Sequence, residues 1–250
     1  MTGPAVLFGG FEEALAEPPE TDGWCLVTDD GARVPLPVRR WHGRPEPALA
    51  AVVEHCVGPT IDLGCGPGRL AAALTARGLV ALGVDVSAAA VRLARARGAV
   101  ALRRDLFGPL PGEGRWAHAL LVDGNLGIGG DPVRLLRRCA GLVRPGGSAL
   151  VEFGPPGSGL WRGGARLTFG PSGGSSPSGG SSPSGGSRPS GGTGPPAGSG
   201  LSDDARAVGP PFRWARAGVE LARPLAVAAG LTVAAVLPAD GRWFVELVRP

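Results

Sequence analysis

The sequence predicts an α/β fold in which helices cover both faces of a mainly parallel sheet. Three observations indicate this class. Short apolar runs alternate with helix-like segments between residues 60 and 153, a glycine-rich turn follows the first run, and two apolar runs joined by a tight turn end the sequence. Alternating strands and helices form parallel sheets with right-handed crossovers, whereas a tight turn joins antiparallel strands.

The segment before the first sheet strand, residues 1–44, contains a small hairpin. Residues 24–38 include an Asp30-Gly31 turn flanked by apolar residues, a pattern typical of two short antiparallel strands. Residues 46–57 predict a helix that leads into the sheet.

The core, residues 45–153, accounts for most of the alternation. Asp131 and Pro132 suit the N-cap and first position of a helix, and the run Arg144-Pro-Gly-Gly147 ends that helix. The predicted strands are 60–63, 80–85, 100–102, 117–123 and 148–153, and the predicted helices before the Asp131 helix are 68–77 and 87–97.

The remaining sequence consists of a glycine- and proline-rich segment and a C-terminal unit. The 250 residues include 44 Gly and 26 Pro, which concentrate in residues 154–211, where the repeat PSGGSS begins at Pro171. Such a repeat has nothing to bury, so we expect a disordered insertion, and a tolerated loop expansion is favoured over a binding motif. Residues 212–250 predict a helix over 216–229 and a strand pair, 231–237 and 242–248, that complete the same domain.

Charge and cysteine content exclude several classes of protein. The 25 basic residues are all arginine, but the net charge is only +4, too small for an electrostatic footprint on nucleic acid. The four cysteines form no Cys-x-x-Cys pair, so neither a zinc site nor a disulfide scaffold is predicted, and no metal is implied.

The sequence also predicts neither a signal peptide nor a membrane span. Its first residues have neither a basic region nor a sustained apolar run, so no signal peptide is predicted. The most apolar stretch, residues 225–237, is shorter than the ~20 residues that a membrane span needs. We therefore expect a cytoplasmic protein without a membrane partner.

The glycine-rich turn, Ile61-Asp-Leu-Gly-Cys-Gly-Pro-Gly-Arg-Leu70, is the most informative motif. Glycines at alternate positions let the backbone approach a ligand, and the following helix N-terminus attracts an anion. The dinucleotide fingerprint Gly-x-Gly-x-x-Gly requires glycine where this sequence has Arg69, so that match fails.

The pattern Asp-x-Gly-x-Gly-x-Gly from Asp62 to Gly68 resembles motif I of class I S-adenosylmethionine (SAM)-dependent methyltransferases. Asp85, which ends Leu-Gly-Val-Asp, resembles the family's ribose-binding acid, and Asp105 resembles the acid beside the adenine amino group. The run that starts at Arg144 resembles the turn before the family's fifth strand.

This resemblance implies a Rossmann-like, seven-stranded sheet of order 3-2-1-4-5-7-6, with the last strand antiparallel. It also implies SAM as cofactor, since the methionine carboxylate suits the loop amides and the ribose diol suits a carboxylate. The expected cofactor-binding residues are Asp62, Gly64, Cys65, Gly66, Gly68, Asp85, Val86, Asp105, Leu106 and Asp123.

Catalytic residues are harder to assign, because the sulfonium is already a strong electrophile and the enzyme mainly orients the acceptor. Asp123 ends the fourth strand, where the family places acceptor-side residues, and is a candidate for direct contact or for a structural turn. His42 is a candidate base, with Glu152 as an alternative, and either could be structural. Residues 212–214, Phe-Arg-Trp, could form an acceptor wall or pack on the sheet edge.

The function expected from these residues is SAM-dependent methylation of a small-molecule acceptor. Two alternatives remain open: a SAM-binding regulatory protein without turnover, and a methyltransferase that acts on protein or RNA. The residues identify neither the acceptor atom nor the oligomeric state.

Overall fold

The computed structural model describes residues 9–16, 23–170 and 205–250. Its strands, in chain order, are β1 (Trp24–Thr28), β2 (Arg33–Pro35), β3 (Thr60–Leu63), β4 (Ala81–Asp85), β5 (Ala101–Arg103), β6 (Trp116–Leu121), β7 (Val143–Phe153), β8 (Leu160–Phe169), β9 (Arg206–Ala217), β10 (Thr232–Ala239) and β11 (Arg242–Val248). Its helices are α1 (Gly9–Ala16), α2 (Val38–His42), α3 (Pro47–His55), α4 (Arg69–Ala76), α5 (Ala88–Ala96), α6 (Pro132–Leu142) and α7 (Ala222–Ala228), with short 3₁₀ segments at Asn125–Gly130 and Val219–Leu221.

The main sheet has seven strands in the order β10-β11-β7-β6-β3-β4-β5. Strand β3 lies at its centre, where Ile61 pairs in parallel with Leu82 of β4 and Ala119 of β6. Strand β11 is antiparallel to both of its neighbours. Numbered within this sheet, the order is 3-2-1-4-5-7-6 with the last strand antiparallel, so the predicted topology is confirmed.

Helices bury both faces of this sheet, and its central strands are therefore buried along their whole length. On one face, Leu135 and Leu142 of α6 pack with α7 against the sheet. On the other face, Leu49 of α3 and Leu74 of α4 pack against Leu120 of β6. All four residues of β3 are buried, as expected for a strand that is covered on both faces, and two of them, Thr60 and Asp62, are polar.

A second, antiparallel sheet of order β2-β1-β8-β9 lies beside the main one. The predicted hairpin is its β1–β2 pair, which continues through β1 into β8. Two of our boundaries are wrong here. Residues 160–169 and 206–211, which we assigned to the insertion, form strands. Strand β9 also continues to residue 217, past residue 216, where we predicted a helix to begin. The high glycine and proline content concealed apolar side chains that pack together, among them Leu167 and Trp214.

The PSGGSS repeat, predicted to be disordered, lies in residues 171–204 and so outside the described residues. Of the helices in the described part of the chain, none is long and apolar enough to cross a membrane.

Candidate functional site

The loop between β3 and α4 depends on three glycines. Gly64, Gly66 and Gly68 have φ angles of +74°, +50° and +77°, in the region that L side chains avoid. A Cβ at Gly64 would lie 2.7 Å from Nδ2 of Asn125, and one at Gly68 would lie 2.5 Å from Cβ of Ala94. A Cβ at Gly66 would instead meet open space, so this glycine leaves the backbone accessible to a ligand.

Asp85, at the carboxyl end of β4, is tied to this loop. Its Oδ2 accepts a hydrogen bond from the N–H of Gly66 at 2.9 Å, and its Oδ1 accepts one from the N–H of Ser87 at 2.9 Å. Burial raises the pKa of Asp85, and these backbone hydrogen bonds oppose the rise. A carboxylate has about four acceptor positions, so Asp85 is held in one orientation with capacity for two further donors.

A cavity of about 360 Å³ opens in front of the loop, which is within the range of small-molecule sites. Its inner wall includes Gly66, Asp85 and Asp105. Apolar side chains from α1, α2 and the second sheet cover it, and these are Phe11, Leu15, Leu26, Trp41, Phe212 and Trp214. The cavity is therefore polar along the ends of the main-sheet strands and apolar under its cover.

The 3₁₀ segment Asn125–Gly130 joins the two halves of the cavity. The Nδ2 of Asn125 donates to the carbonyl oxygens of Leu63 and Gly64 at 3.0 and 2.9 Å, which fixes the start of the glycine loop. At the other end, a Cβ at Gly127 would lie 2.5 Å from Nε1 of Trp214. Gly127 and Gly130 of this segment therefore have no room for a side chain, because strand β9 packs closely on them.

Asp123 directly precedes this segment and is engaged by two arginines. Its φ angle of +56° is unusual for a residue with a side chain. Oδ2 accepts from Nη2 of Arg69 at 2.5 Å, and Oδ1 accepts from Nη2 of Arg242 at 2.9 Å. Both oxygens thus face cationic donors, an arrangement that orients the carboxylate.

Arg242, near the end of the chain, connects Asp123 to two other carboxylates. It donates to Glu152 through Nε at 2.8 Å and Nη2 at 2.6 Å, and to Glu46 through Nη1 at 2.6 Å. Burial alone would lower the pKa of Arg242, but the hydrogen bonds to Glu152 and the surrounding negative charges raise it overall. Arg69 also contacts Glu46, so the network is one connected unit.

Asp62 lies beneath the glycine loop with only 2 % of its surface exposed. Burial, followed by repulsion from Asp123 and Asp85, raises its pKa from 3.8 to about 7. This buried carboxyl therefore carries a proton at acidic pH in the folded protein.

The structure brings most of the predicted cofactor residues to the cavity. Those that line it are Gly64, Cys65, Gly66, Asp85, Val86, Asp105, Leu106 and Asp123. Asp62 and Gly68 are not among the lining residues; Asp62 is buried behind the loop, and Gly68 is the N-cap of α4.

The candidate bases His42 and Glu152 do not line the cavity either. Burial, reinforced by the charge of Arg97, lowers the pKa of His42. Its Nε2 is buried and has no hydrogen-bond partner within the described residues. Base catalysis by His42 therefore remains a prediction without support from its position.

Sequence reasoning missed Asn125, Ile128 and the aromatic side chains of the N-terminal elements, all of which line the cavity. Asn125 follows Asp123 closely, so its position after the fourth strand was an available signal. Phe11 and Trp41 reach the cavity through tertiary packing, for which no local pattern exists. Phe212 and Trp214 do line the cavity, as one of the two interpretations of residues 212–214 predicted.

Comparison with known proteins confirms the resemblance read from the motifs. Residues 61–147 match the family model described as a methyltransferase domain. Uncharacterized methyltransferases of Mycobacterium bovis and Mycobacterium tuberculosis are 34% identical over an alignment of 131 residues that covers 46% of this chain. The match spans 59% of the length of those relatives.

Solved structures share the fold. A SAM-dependent methyltransferase from Bacteroides fragilis, in complex with S-adenosylhomocysteine, superposes with a TM-score of 0.68 at 17% identity over 100% of this chain and 98% of that one. A sugar N-methyltransferase from Streptoalloteichus gives a TM-score of 0.55 at 17% identity, over 84% and 90% of the two chains. At such identities the likeness establishes the α/β methyltransferase fold and leaves the substrate open.

Proposed function

We propose that this chain, whose residues 61–147 match the methyltransferase-domain family model, binds SAM and transfers its methyl group to a small-molecule acceptor. The observation that carries the proposal is the hydrogen bond from the N–H of Gly66 to Asp85 at the base of the cavity. It places a glycine backbone and an oriented carboxylate side by side, as a ligand with an anionic end and a ribose diol requires.

The residues present fit SAM. The loop at Gly66 has room for the methionine carboxylate, because a Cβ there would meet open space. Asp85 can accept from both ribose hydroxyls on its remaining lone pairs. Val86 and Leu106 supply apolar surface for the adenine, and Asp105 supplies a carboxylate beside it.

When bound, SAM supplies a methyl group on a positively charged sulfur, which makes the methyl carbon electrophilic. The task of the chain is then to hold an acceptor in line with that carbon and to exclude water. The apolar cover formed by Trp41, Phe212 and Trp214 serves both purposes. Asp123 borders the cavity with both oxygens held by arginines, so we assign it to ligand contact and positioning and not to proton removal.

The small size and enclosed cover of the cavity favour a small molecule over a macromolecule. The sugar N-methyltransferase among the structural neighbours acts, by its description, on a small molecule. A net charge of +4 also gives little attraction for RNA.

Incubation with methyl-labelled SAM tests this proposal. The purified protein is mixed with SAM and, in separate reactions, with the metabolite, protein and RNA fractions of a cell extract. We expect label in the metabolite fraction, and mass spectrometry should find one compound heavier by one methylene group. Label confined to protein or RNA would contradict the small-molecule acceptor, and SAM binding without transfer to any fraction would indicate a regulatory protein.

A further inference from the structure

Two arginines line the exposed part of the cavity from different elements, Arg134 from α6 and Arg213 from β9. The guanidinium of Arg134 stacks over the ring of Phe107 with its central carbon 4.1 Å from the ring centroid. Arg213 lies against the end of the 3₁₀ segment, since a Cβ at Gly130 would be 2.9 Å from the Cβ of Arg213. Phe107 and Arg213 thus flank the same end of the 3₁₀ segment.

Neither guanidinium forms an ion pair with another described residue, and the same is true of Arg104, a third arginine that lines the cavity. Arg69, for comparison, is paired with Glu46 and Asp123. The nearest carboxylate along the helix is Asp131, which accepts from the N–H groups of Val133 and Arg134 and so caps α6. Positive charge at this end of the cavity is therefore left uncompensated.

A guanidinium binds carboxylates and phosphates through two parallel hydrogen bonds, and stacking on an aromatic ring fixes its plane. Arg134 is arranged in this way by Phe107. A neutral acceptor that covered Arg134 and Arg213 would remove water from both without replacing its hydrogen bonds, and a cationic acceptor would be repelled. An anionic acceptor replaces those hydrogen bonds and balances the positive charge of the sulfonium as well.

The cavity also offers aromatic surface that suits an apolar body. Phe212 and Trp214, on either side of Arg213 along β9, meet edge to face with centroids 5.8 Å apart and interplanar angle 82°. Both line the cavity. Flat rings and planar groups pack well on such aromatic walls.

We infer that the acceptor is an apolar, aromatic-sized molecule with an anionic group, a carboxylate or a phosphate, and that Arg134 and Arg213 bind this group. The inference rests on the proposed function, since it assigns the acceptor end of the same cavity. An acceptor of this kind is not a free amine, because the two arginines would repel a positively charged ammonium group.

Calorimetric binding of matched probes to the protein saturated with S-adenosylhomocysteine tests the inference. One series shares a phenol ring: para-hydroxyphenylacetate, para-hydroxybenzylphosphonate, para-hydroxyphenylethanol and tyramine. A second series uses indole: indole acetate, tryptophol and tryptamine. We expect at least one anionic probe to bind about tenfold more tightly than the alcohol and the amine of its series, which corresponds to ~1.4 kcal/mol. The carboxylate and phosphonate arms show which anion is preferred.

Variants decide whether the two arginines are responsible. R134Q/R213Q should abolish the anion preference and leave the affinity for S-adenosylhomocysteine unchanged, whereas R134K/R213K should keep part of it. R223Q removes one exposed charge outside the cavity and should behave as the wild type. An absent anion preference, or one that R134Q/R213Q retains, would overturn the inference. So would lost affinity for S-adenosylhomocysteine in that variant, which would place the arginines at the cofactor. Failure of the wild type to bind S-adenosylhomocysteine would contradict the proposed function itself.

Discussion

The backbone N–H of Gly66 donates to Oδ2 of Asp85 across 2.9 Å, and this contact joins the loop after β3 to the end of β4. The two residues are 19 positions apart in the chain. Parallel pairing of β3 with β4 brings them together, since Leu63, three residues before Gly66, pairs with Val84, which directly precedes Asp85. The sheet register thus fixes the geometry of the cavity floor.

A side chain at Gly66 should weaken cofactor binding, and it should destabilise the protein no more than a side chain at Gly78 does. Gly66 and Gly78 both have positive φ angles, and a Cβ at either would meet open space. G66A and G78A should each lower the free energy of unfolding by about 1 kcal/mol, since both place a side chain in the left-handed region. Only Gly66 lines the cavity, so only G66A should lower the affinity for S-adenosylhomocysteine, by at least about tenfold (~1.4 kcal/mol). Equal affinities in the two variants would show that the loop backbone does not contact the ligand.

Asn125 should matter through the two carbonyl groups that its amide satisfies. N125A leaves the carbonyl oxygens of Leu63 and Gly64 without this donor, and we expect a loss of about 1 kcal/mol in stability and weaker binding of S-adenosylhomocysteine. N125D should bind more weakly still, because its carboxylate faces those carbonyl oxygens. Denaturant titration and calorimetry measure the two effects, and an N125D variant that binds as well as the wild type would contradict the assigned role.

The pKa of Asp62 predicts a pH dependence of stability. Its folded-state pKa of about 7 lies above the ordinary 3.8, so the folded protein keeps a proton that the unfolded chain releases. The contribution of Asp62 to the free energy of unfolding is therefore greatest below pH ~4 and decreases as the pH rises toward ~7. D62N is neutral throughout and lacks this decrease.

Urea titrations of the ligand-free protein at several pH values can measure the difference between wild type and D62N. From pH ~4 to ~8, D62N should gain at least ~1 kcal/mol relative to the wild type. Groups that do not interact with Asp62 contribute equally to both proteins, so those contributions cancel. Parallel stability curves would mean that Asp62 ionises normally in the folded state.

Arg242 should be the most sensitive residue of the charged network. R242Q removes the cation that contacts Glu152, Asp123 and Glu46, leaving partly buried carboxylates with fewer donors. We expect a loss of about 3 kcal/mol in unfolding free energy. R242Q/E152Q should lose less, because the second substitution removes one of the uncompensated charges.

R223Q is the matched control for R242Q, since Arg223 is exposed on α7 and forms no ion pair with another described residue. Its stability should differ from that of the wild type by less than ~0.5 kcal/mol. If R242Q were no less stable than R223Q, the network would contribute nothing to holding Asp123.

Local patterns predicted the parts of the fold that depend on local chemistry. The turn from Asp62 to Gly68 and the cap at Asp131 were readable because each needs particular residues at fixed spacing. Strands β8 and β9 were not readable, because glycine and proline are typical of loops. What makes them strands is mutual pairing and the pairing of β8 with β1, more than 130 residues earlier.

The candidate site divides in the same way. The cofactor end follows the strand ends, so Asp85 and Asp105 could be identified in advance and both line the cavity. The arginine contacts of Asp123 could not, because Arg242 lies 119 residues away and meets it only after β11 joins the sheet. The sequence therefore suggested a catalytic carboxylate where the structure has one held by two guanidiniums.

Calorimetric titration of the purified protein with S-adenosylhomocysteine measures whether Asp85 and the Gly66 loop form a SAM site. The wild type and E54A, which lacks an exposed carboxylate of α3, should bind equally well. D85A should bind on the order of a hundredfold more weakly, because it loses two hydrogen bonds to a charged group. A wild type that does not bind S-adenosylhomocysteine, or a folded D85A with unchanged affinity, would show that Asp85 and the Gly66 loop do not form a SAM site.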